Sequence, residues 1–466
     1  VTSDDVRVRR FEQSLVLEAD PTGRRRSIEE VMGHYNVPGV SVAIVHGGEI
    51  VHARGYGVAD AHSGQAVDPS TRFQACSISK PVSCFGMLRM VHDGALDLDR
   101  DVNDTLRSWR VPQNSDWQPV VTLRLLASHR AGLTVSGFPG YRTDDALPTL
   151  TQVLSGISPA NTEGVRANIP PGLCFRYSGG GTTVLQQLLE DVQSRPFGDL
   201  MDELVFGPAD MTSSLFAQPL PQPLEHTAAS AHDGLGEPAR GRWRVYPELA
   251  AAGLWTTPVD LAKFLIATQT SVSTDRGILP KDLAKSTLAT PLAPAHPGTL
   301  SHIGVGFFLG QADGAAYLGH SGSNYGFRSL VLGERRLGSG VAVMTNSETG
   351  GNVIRTILRA VAKSFEWPGA GALDLGPTAP AATVVREPLE GTYQTEDGAS
   401  LSIDDDGTAL HVRVSGQPTL RFERWGESLY GSGEVAMRLV VESDERSRPL
   451  VVLRDDDTEI VYRPQP

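Results

Sequence analysis

Ser77-Ile78-Ser79-Lys80-Pro81-Val82-Ser83-Cys84-Phe85-Gly86-Met87-Leu88-Arg89-Met90-Val91-His92-Asp93-Gly94 is the stretch from which the rest of the chain can be read. Ile78, Val82, Phe85, Leu88 and Val91 recur at spacings of three and four, the period of a helix with one buried stripe. A proline is tolerated only in the first turn of a helix, so Pro81 sets the start near Ser77. Gly94 supplies the stop. The spacing therefore predicts a helix over 77–93, with Ser77 and Lys80 one turn apart on a shared face at its N-terminus.

A serine hydroxyl is a poor nucleophile until a base takes its proton. A lysine three residues on brings an amine within reach, and burial of that amine would favour the neutral form that can act as base. Backbone N–H groups at the helix start favour a developing oxyanion. Ser-x-x-Lys alone recurs by chance in long chains, so its context has to carry the reading. Cys76 is a rival nucleophile beside Ser77; its plain use is that of a small buried hydrophobe.

Outward from this helix, residues 40–57 hold two β-prone runs around Gly47-Gly48, a hairpin signal. His46, Glu49 and His52 are metal-ligand types, but a hairpin is the wrong scaffold for the helical His-Glu-x-x-His pattern, and no metal is expected. A second helix is predicted from about Thr183 to Val192, after Gly179-Gly180-Gly181, with Val184, Leu185, Leu188, Leu189 and Val192 as its stripe. A third begins at Thr257, a capping residue followed by Pro258 and Val259. Gly304–Leu309, Ala315–Gly319, Arg328–Gly333 and Gly340–Thr345 read as strands. Val353, Ile354, Ile357, Leu358, Val361 and Phe365 mark a last amphipathic helix.

The fold class expected is α+β, an antiparallel sheet flanked by helices over residues 1–368. Residues 369–387 are a Pro/Ala/Gly-rich linker. Residues 388–466 carry about six short strand-like runs with turns such as Asp404-Asp405-Asp406-Gly407, and read as a small all-β meander or barrel.

Composition limits the function. Among 466 residues the formal net charge is −13, which argues against a nucleic-acid partner. Arg24-Arg25-Arg26, beside Glu29 and Glu30, reads as a solvated helix face. No run approaches the ~18 apolar residues of a membrane span. The first residues show no apolar run after their charges and so no secretory signal, and the three cysteines, Cys76, Cys84 and Cys174, form no disulfide framework. Both point to the cytoplasm, unless a leader precedes Val1. No cofactor is called for, and no feature fixes an oligomeric state.

Two further segments give the first its meaning. One reads Pro171-Gly172-Leu173-Cys174-Phe175-Arg176-Tyr177-Ser178-Gly179-Gly180-Gly181, the other Gly319-His320-Ser321-Gly322-Ser323-Asn324-Tyr325-Gly326-Phe327. Ser-x-x-Lys, then Tyr-Ser-Gly, then His-x-Gly, in this order, resembles the penicillin-binding-protein and class C β-lactamase-like superfamily of serine hydrolases. His129-Arg130-Ala131-Gly132-Leu133-Thr134 and Ala250-Ala251-Ala252-Gly253-Leu254-Trp255-Thr256-Thr257-Pro258 strengthen the likeness, which spans about 28–366. Each residue has a plain use on its own: Tyr177 as a core tyrosine, His320 as a strand-end histidine, the triple glycine as a loop. Gly319-His320-Ser321-Gly322-Ser323 also resembles an α/β-hydrolase nucleophile elbow, but the final glycine is missing.

The resemblance implies roles. Ser77 would attack a carbonyl, and Lys80 and Tyr177 would share the proton traffic. His320 would polarise Tyr177 or the substrate. The N–H groups of Ser77 and Ser323 would form the oxyanion hole, and Gly179, Gly322, Asn324 and Trp255 would meet the substrate. Arg454 and Arg463 in the C-terminal β-domain have two readings of equal weight, substrate-holding residues that reach the cleft and plain surface residues. Gly179 stands where β-lactamases place an asparagine, and His320 where they place a lysine, so β-lactams are disfavoured.

In layout the chain is closest to penicillin-binding-protein-type thioesterases, which pair such a hydrolase with a C-terminal lipocalin-like β-domain. That implies a partner, a peptidyl carrier-protein thioester or a small peptide, and release of a nonribosomal peptide as a ring with a D-residue at the acyl-donor end. A D-stereospecific peptidase, amidase or esterase would use the same residues. A silent peptidoglycan-binding or sensor module would not need serine, lysine and tyrosine intact.

Overall fold

The computed structural model describes residues 2–17, 20, 22–114, 117–295, 299–335 and 338–369. In the C-terminal region it describes 389–395, 400–406, 409–414, 419–424, 429–431, 438–443, 449–454 and 459–464. The linker stretch, Gly369 apart, lies outside the described residues. The chain divides into two compact units, Val1–Cys174 with Ser178–Leu375, and Gly376–Pro466 with Phe175–Tyr177. No helix of the described residues is long and apolar enough to cross a membrane.

The first unit is built on an antiparallel sheet. Its strands in chain order are β1 (Gly39–His46), β2 (Glu49–Asp60), β3 (Gln65–Ala66), β4 (Ala293–Pro294), β5 (His302–Ile303), β6 (Phe308–Ala312), β7 (Ala315–Asn324), β8 (Phe327–Glu334) and β9 (Ser339–Thr345). Their spatial order is β3-β2-β1-β9-β8-β7-β6-β5-β4. The first hairpin turns where expected: Gly47 and Gly48 take φ 61° and 82°, the left-handed pair that a two-residue turn requires.

Five helices matter for the site: α1 (Ser79–His92), α2 (Gly179–Gln193), α3 (Leu249–Ala252), α4 (Pro258–Ser273) and α5 (Gly350–Ser364). Thr257 caps α4 by accepting from the Asp260 N–H, and Pro258 takes its first position. This helix lies on the sheet face of Ala43 and Val45, with Ala262 between them. A Cβ on Gly340 would stand 2.2 Å from Leu265, so small residues admit the helix. α5 packs on β8 and β9. Every residue of β9 is buried, as a strand covered on both faces must be.

The C-terminal unit is a closed barrel of eight strands, Gly391–Gln394 to Glu459–Pro464, each paired with its chain neighbour and the first with the last. Tyr393, Leu401, Ile403, Leu410, Val412, Phe422, Leu439 and Tyr462 form its core. The expectation of about six runs is corrected to eight: closure leaves no edge strand, and two runs are too short for a sequence pattern to register. Arg454 ends Pro449–Arg454, and Arg463 is exposed on Glu459–Pro464.

Candidate active site

The helix after Ser77 begins two residues later than its periodicity suggests. Cys76–Ile78 is a 3-10 turn, and the α-helix runs from Ser79. Cys76 takes φ 55°, a left-handed conformation that a non-glycine residue rarely adopts, immediately before Ser77. All of residues 73–88 are buried except Ser77, which is half-exposed. The buried Cys76 thiol is pushed up to about 12 by loss of water, so the rival nucleophile is inert.

Lys80 is buried, and its Nζ donates to Ser77 Oγ at 3.1 Å and to the Ala251 carbonyl at 2.8 Å. The helical spacing read from the sequence thus delivers the amine to the hydroxyl. The second bond depends on α3, a single turn that the sequence did not single out as helical. Ser83 Oγ donates to the Ala250 carbonyl at 3.3 Å, and Ser79 Oγ accepts from the Leu254 N–H at 3.1 Å. Ala250 N–H donates to Gln186 Oε1 of α2 at 3.0 Å.

The third motif lies on β7, which extends through Asn324 rather than stopping at Gly319. β6 pairs with β7 only as far as Gly319, so His320–Asn324 runs on with β8 as its one partner strand. The open edge lies against the Ser77 turn. A Cβ on Gly322 would stand 2.5 Å from the Ala75 carbonyl oxygen and 2.8 Å from Cys76 Cβ. Only glycine permits this approach, so Gly322 is a packing requirement. Ser321 and Ser323 are exposed, and His320, Gly322 and Asn324 are buried. Nδ1 of His320 pairs with the Ser321 carbonyl, which can only accept, so Nδ1 carries hydrogen and the neutral ring presents Nε2 as an acceptor.

Two expected substrate contacts are corrected. The Trp255 ring has no exposed surface and packs edge-on against Trp243 and Phe327, so no ligand touches it. Asn324 Nδ2 donates to Gln74 Oε1 at 2.7 Å and to the Ala252 carbonyl at 3.1 Å. Both donors of its amide are spent tying β7 to the segment before Ser77 and to α3.

Tyr177 is half-buried and precedes Ser178, the N-cap of α2. This helix starts at Gly179, so the glycines form its first turn rather than a loop. A Cβ on Gly179 would meet Phe138 at 2.9 Å, and one on Gly180 the Thr134 carbonyl oxygen at 2.8 Å. Close packing, not a substrate amide, is what Gly179 provides.

Glu248, immediately before α3, carries no motif or periodicity that would single it out. It is fully buried, and neither carboxylate oxygen has a partner in another described residue. Burial pushes its carboxyl up to about 7, its own backbone N–H offsetting little. The raised value means that the group folds comfortably when protonated and opposes folding once charged. Stability is therefore lost progressively as pH rises from the ordinary carboxyl value of 4.5 through 7, by about 3 kcal/mol in all. In Glu248→Gln, thermal midpoints should fall a few degrees less between pH 5 and pH 8 than in wild type. Parallel midpoint curves would refute the burial argument.

Fold and site together define a protein of the β-lactamase and transpeptidase kind, a class of serine hydrolases and acyltransferases. The protein-family model described as Beta-lactamase matches residues 24–363, and the chain belongs to that family. Among characterised relatives, a D-aminopeptidase of Cereibacter sphaeroides is 25% identical over 412 residues, 84% of this chain and 70% of its own length. Protein flp of Staphylococcus aureus is 24% identical over 68% of this chain and 61% of its own. Esterase EstB of Burkholderia gladioli is 29% identical over 46% of this chain and 55% of its own. The chain thus spans less than two thirds of the last two.

Among solved structures, SurE is similar at TM-score 0.59 and 20% identity, covering 94% of this chain and 97% of its own. SurE with D-Leu gives TM-score 0.60. An octameric penicillin-binding protein homologue from Pyrococcus abyssi gives 0.63 at 21% identity, covering 93% and 98%.

Proposed function

We propose that the protein is a serine acyltransferase that takes a peptidyl group from a carrier-protein thioester and releases it as a head-to-tail macrocycle. The observation that carries this is the pairing in one chain of the Ser77–Lys80 unit with a closed eight-stranded barrel, the strand number of lipocalins. Likeness along nearly the whole chain to SurE, and to its structure with D-Leu, supports the layout and a D-residue at the acyl-donor end.

In the first step Ser77 Oγ gives its proton to Lys80, bonds to the thioester carbonyl, and the thiolate leaves with a proton passed by Tyr177. The N–H groups of Ser77 and Ser323 receive the oxyanion. In the second step the peptide's own amine attacks the Ser77 ester. The amine gives a proton to the deprotonated Tyr177 as the amide forms, the ester C–O bond breaks, and Lys80 returns its proton to Oγ. His320 offers Nε2 to the tyrosine hydroxyl or the substrate.

A second reading is hydrolysis of the same acyl-enzyme by water, as a D-stereospecific peptidase, amidase or esterase. The D-aminopeptidase relative, spanning 84% of this chain, favours it. Peptidyl N-acetylcysteamine thioesters with D- or L-residues at the acyl end separate the two by product mass. Rings one water lighter than the acid, formed from D-ended substrates, are expected. Linear acid alone from every D-ended peptide would overturn the cyclase reading and leave the hydrolase.

A further inference from the structure

His129 is a buried base beside the reaction centre to which the roles above give no task. It follows the short helix Leu123–Ala127, is 4% exposed, and takes φ 54°. Its Nδ1 accepts the backbone N–H of Ser178 at 3.1 Å. An atom that accepts an N–H is unprotonated, so in the neutral ring the hydrogen sits on Nε2. Burial first, then the charge of Lys80, then that of His320, hold His129 well below the ordinary histidine range.

Ser178 joins Tyr177 to α2. Its Oγ caps the helix, accepting from Gly181 N–H at 2.9 Å and donating to the Thr134 carbonyl at 2.9 Å. Its N–H belongs to the peptide plane linking Tyr177 to Ser178. His129 thus grips that plane while the cap grips the following one.

We propose that His129 is a positioning residue for the acyl transfer: its Nδ1 locks the Tyr177–Ser178 peptide plane, and its neutral ring does so without placing a second positive charge beside Lys80. The inference rests on the reading that Tyr177 moves the proton. A lysine or arginine here could donate but not accept, and would add charge. The left-handed backbone also restricts the position, since asparagine and aspartate tolerate it better than most residues.

This gives a graded test, read as the burst of p-nitrophenolate when p-nitrophenyl butyrate acylates Ser77. His129→Asn keeps an acceptor on the same side-chain carbon and should acylate within about fivefold of wild type. His129→Ala removes it and should slow acylation about a hundredfold, the scale of a small misplacement of a reacting group, with KM little changed. His129→Asp keeps the acceptor but adds a negative charge near Lys80 and His320. Its acid limb in the rate–pH profile should move to higher pH, which a purely structural residue would not cause.

Tyr177→Phe is measured alongside, with folding of each variant checked by thermal melting. A folded His129→Ala that acylates at the wild-type rate while Tyr177→Phe is impaired would overturn the proposal alone. A Tyr177→Phe protein at full rate would overturn the tyrosine's role and the proposal with it. If alanine fails to fold, an asparagine variant slowed a hundredfold, or an aspartate variant with an unmoved profile, overturns it equally.

Discussion

The Ser77→Ala protein is expected to fold as wild type does and to form no acyl-enzyme. The hydroxyl's partner is Lys80 Nζ at 3.1 Å, and the lysine keeps its bond to the Ala251 carbonyl when the hydroxyl goes. The position is half-exposed, so the lost oxygen leaves no buried void. Melting should shift by no more than a degree or two. Turnover of a peptidyl thioester should fall by at least about 10⁴-fold, since Ser77 Oγ is the hydroxyl that Lys80 Nζ contacts. Cys76 cannot step in, because it is buried with its thiol pushed up to about 12. Intact-mass spectrometry should show the acyl adduct on wild type and none on the variant. Retained turnover would remove Ser77 from the chemistry and the acyl-enzyme with it.

Lys80→Met carries the second large effect. Methionine preserves the apolar stem that crosses the core and removes the amine. Acylation should slow by about 10³-fold, the scale of losing a positioned base. The Ala251 carbonyl loses its donor, which costs about 1–3 kcal/mol and should lower the melting midpoint without preventing folding. Lys80→Arg should not restore the rate, because a guanidinium does not give up its proton and cannot become the base. A folded methionine variant within tenfold of wild type would place the base elsewhere.

The parts of this site that are local in sequence were legible there. Ser77 and Lys80 sit one turn apart because helix geometry makes them so, and Pro81 fixes where that turn lies. The Gly47-Gly48 hairpin and the Thr257 cap are local in the same way. What escaped is what tertiary contact decides. The half of β7 that carries His320 has no apolar alternation, because its neighbour on one side is the Ser77 turn and glycine is required there. The glycines at the start of α2 look like loop residues, yet they are helical because Phe138 and the Thr134 carbonyl press against them. Trp255 and Asn324 look like binding residues by type, and the fold uses the first as core and the second as a tie. Glu248 leaves no trace in the sequence, since an unpartnered buried carboxylate has no pattern.

The single turn α3 has a wider consequence. Isolated helices of this length do not persist in water, and the last carbonyls of any helix lack internal partners. Here Ala250, Ala251 and Ala252 find theirs in Ser83, Lys80 and Asn324, residues on two other elements that frame the nucleophile. The turn exists because the site holds it, and Lys80 is aimed because the turn exists. The two therefore form one cooperative opening unit. Hydrogen exchange of the amides of residues 250–254 should therefore track release of Lys80, and a molecule that keeps Ser77 and Lys80 engaged should slow it.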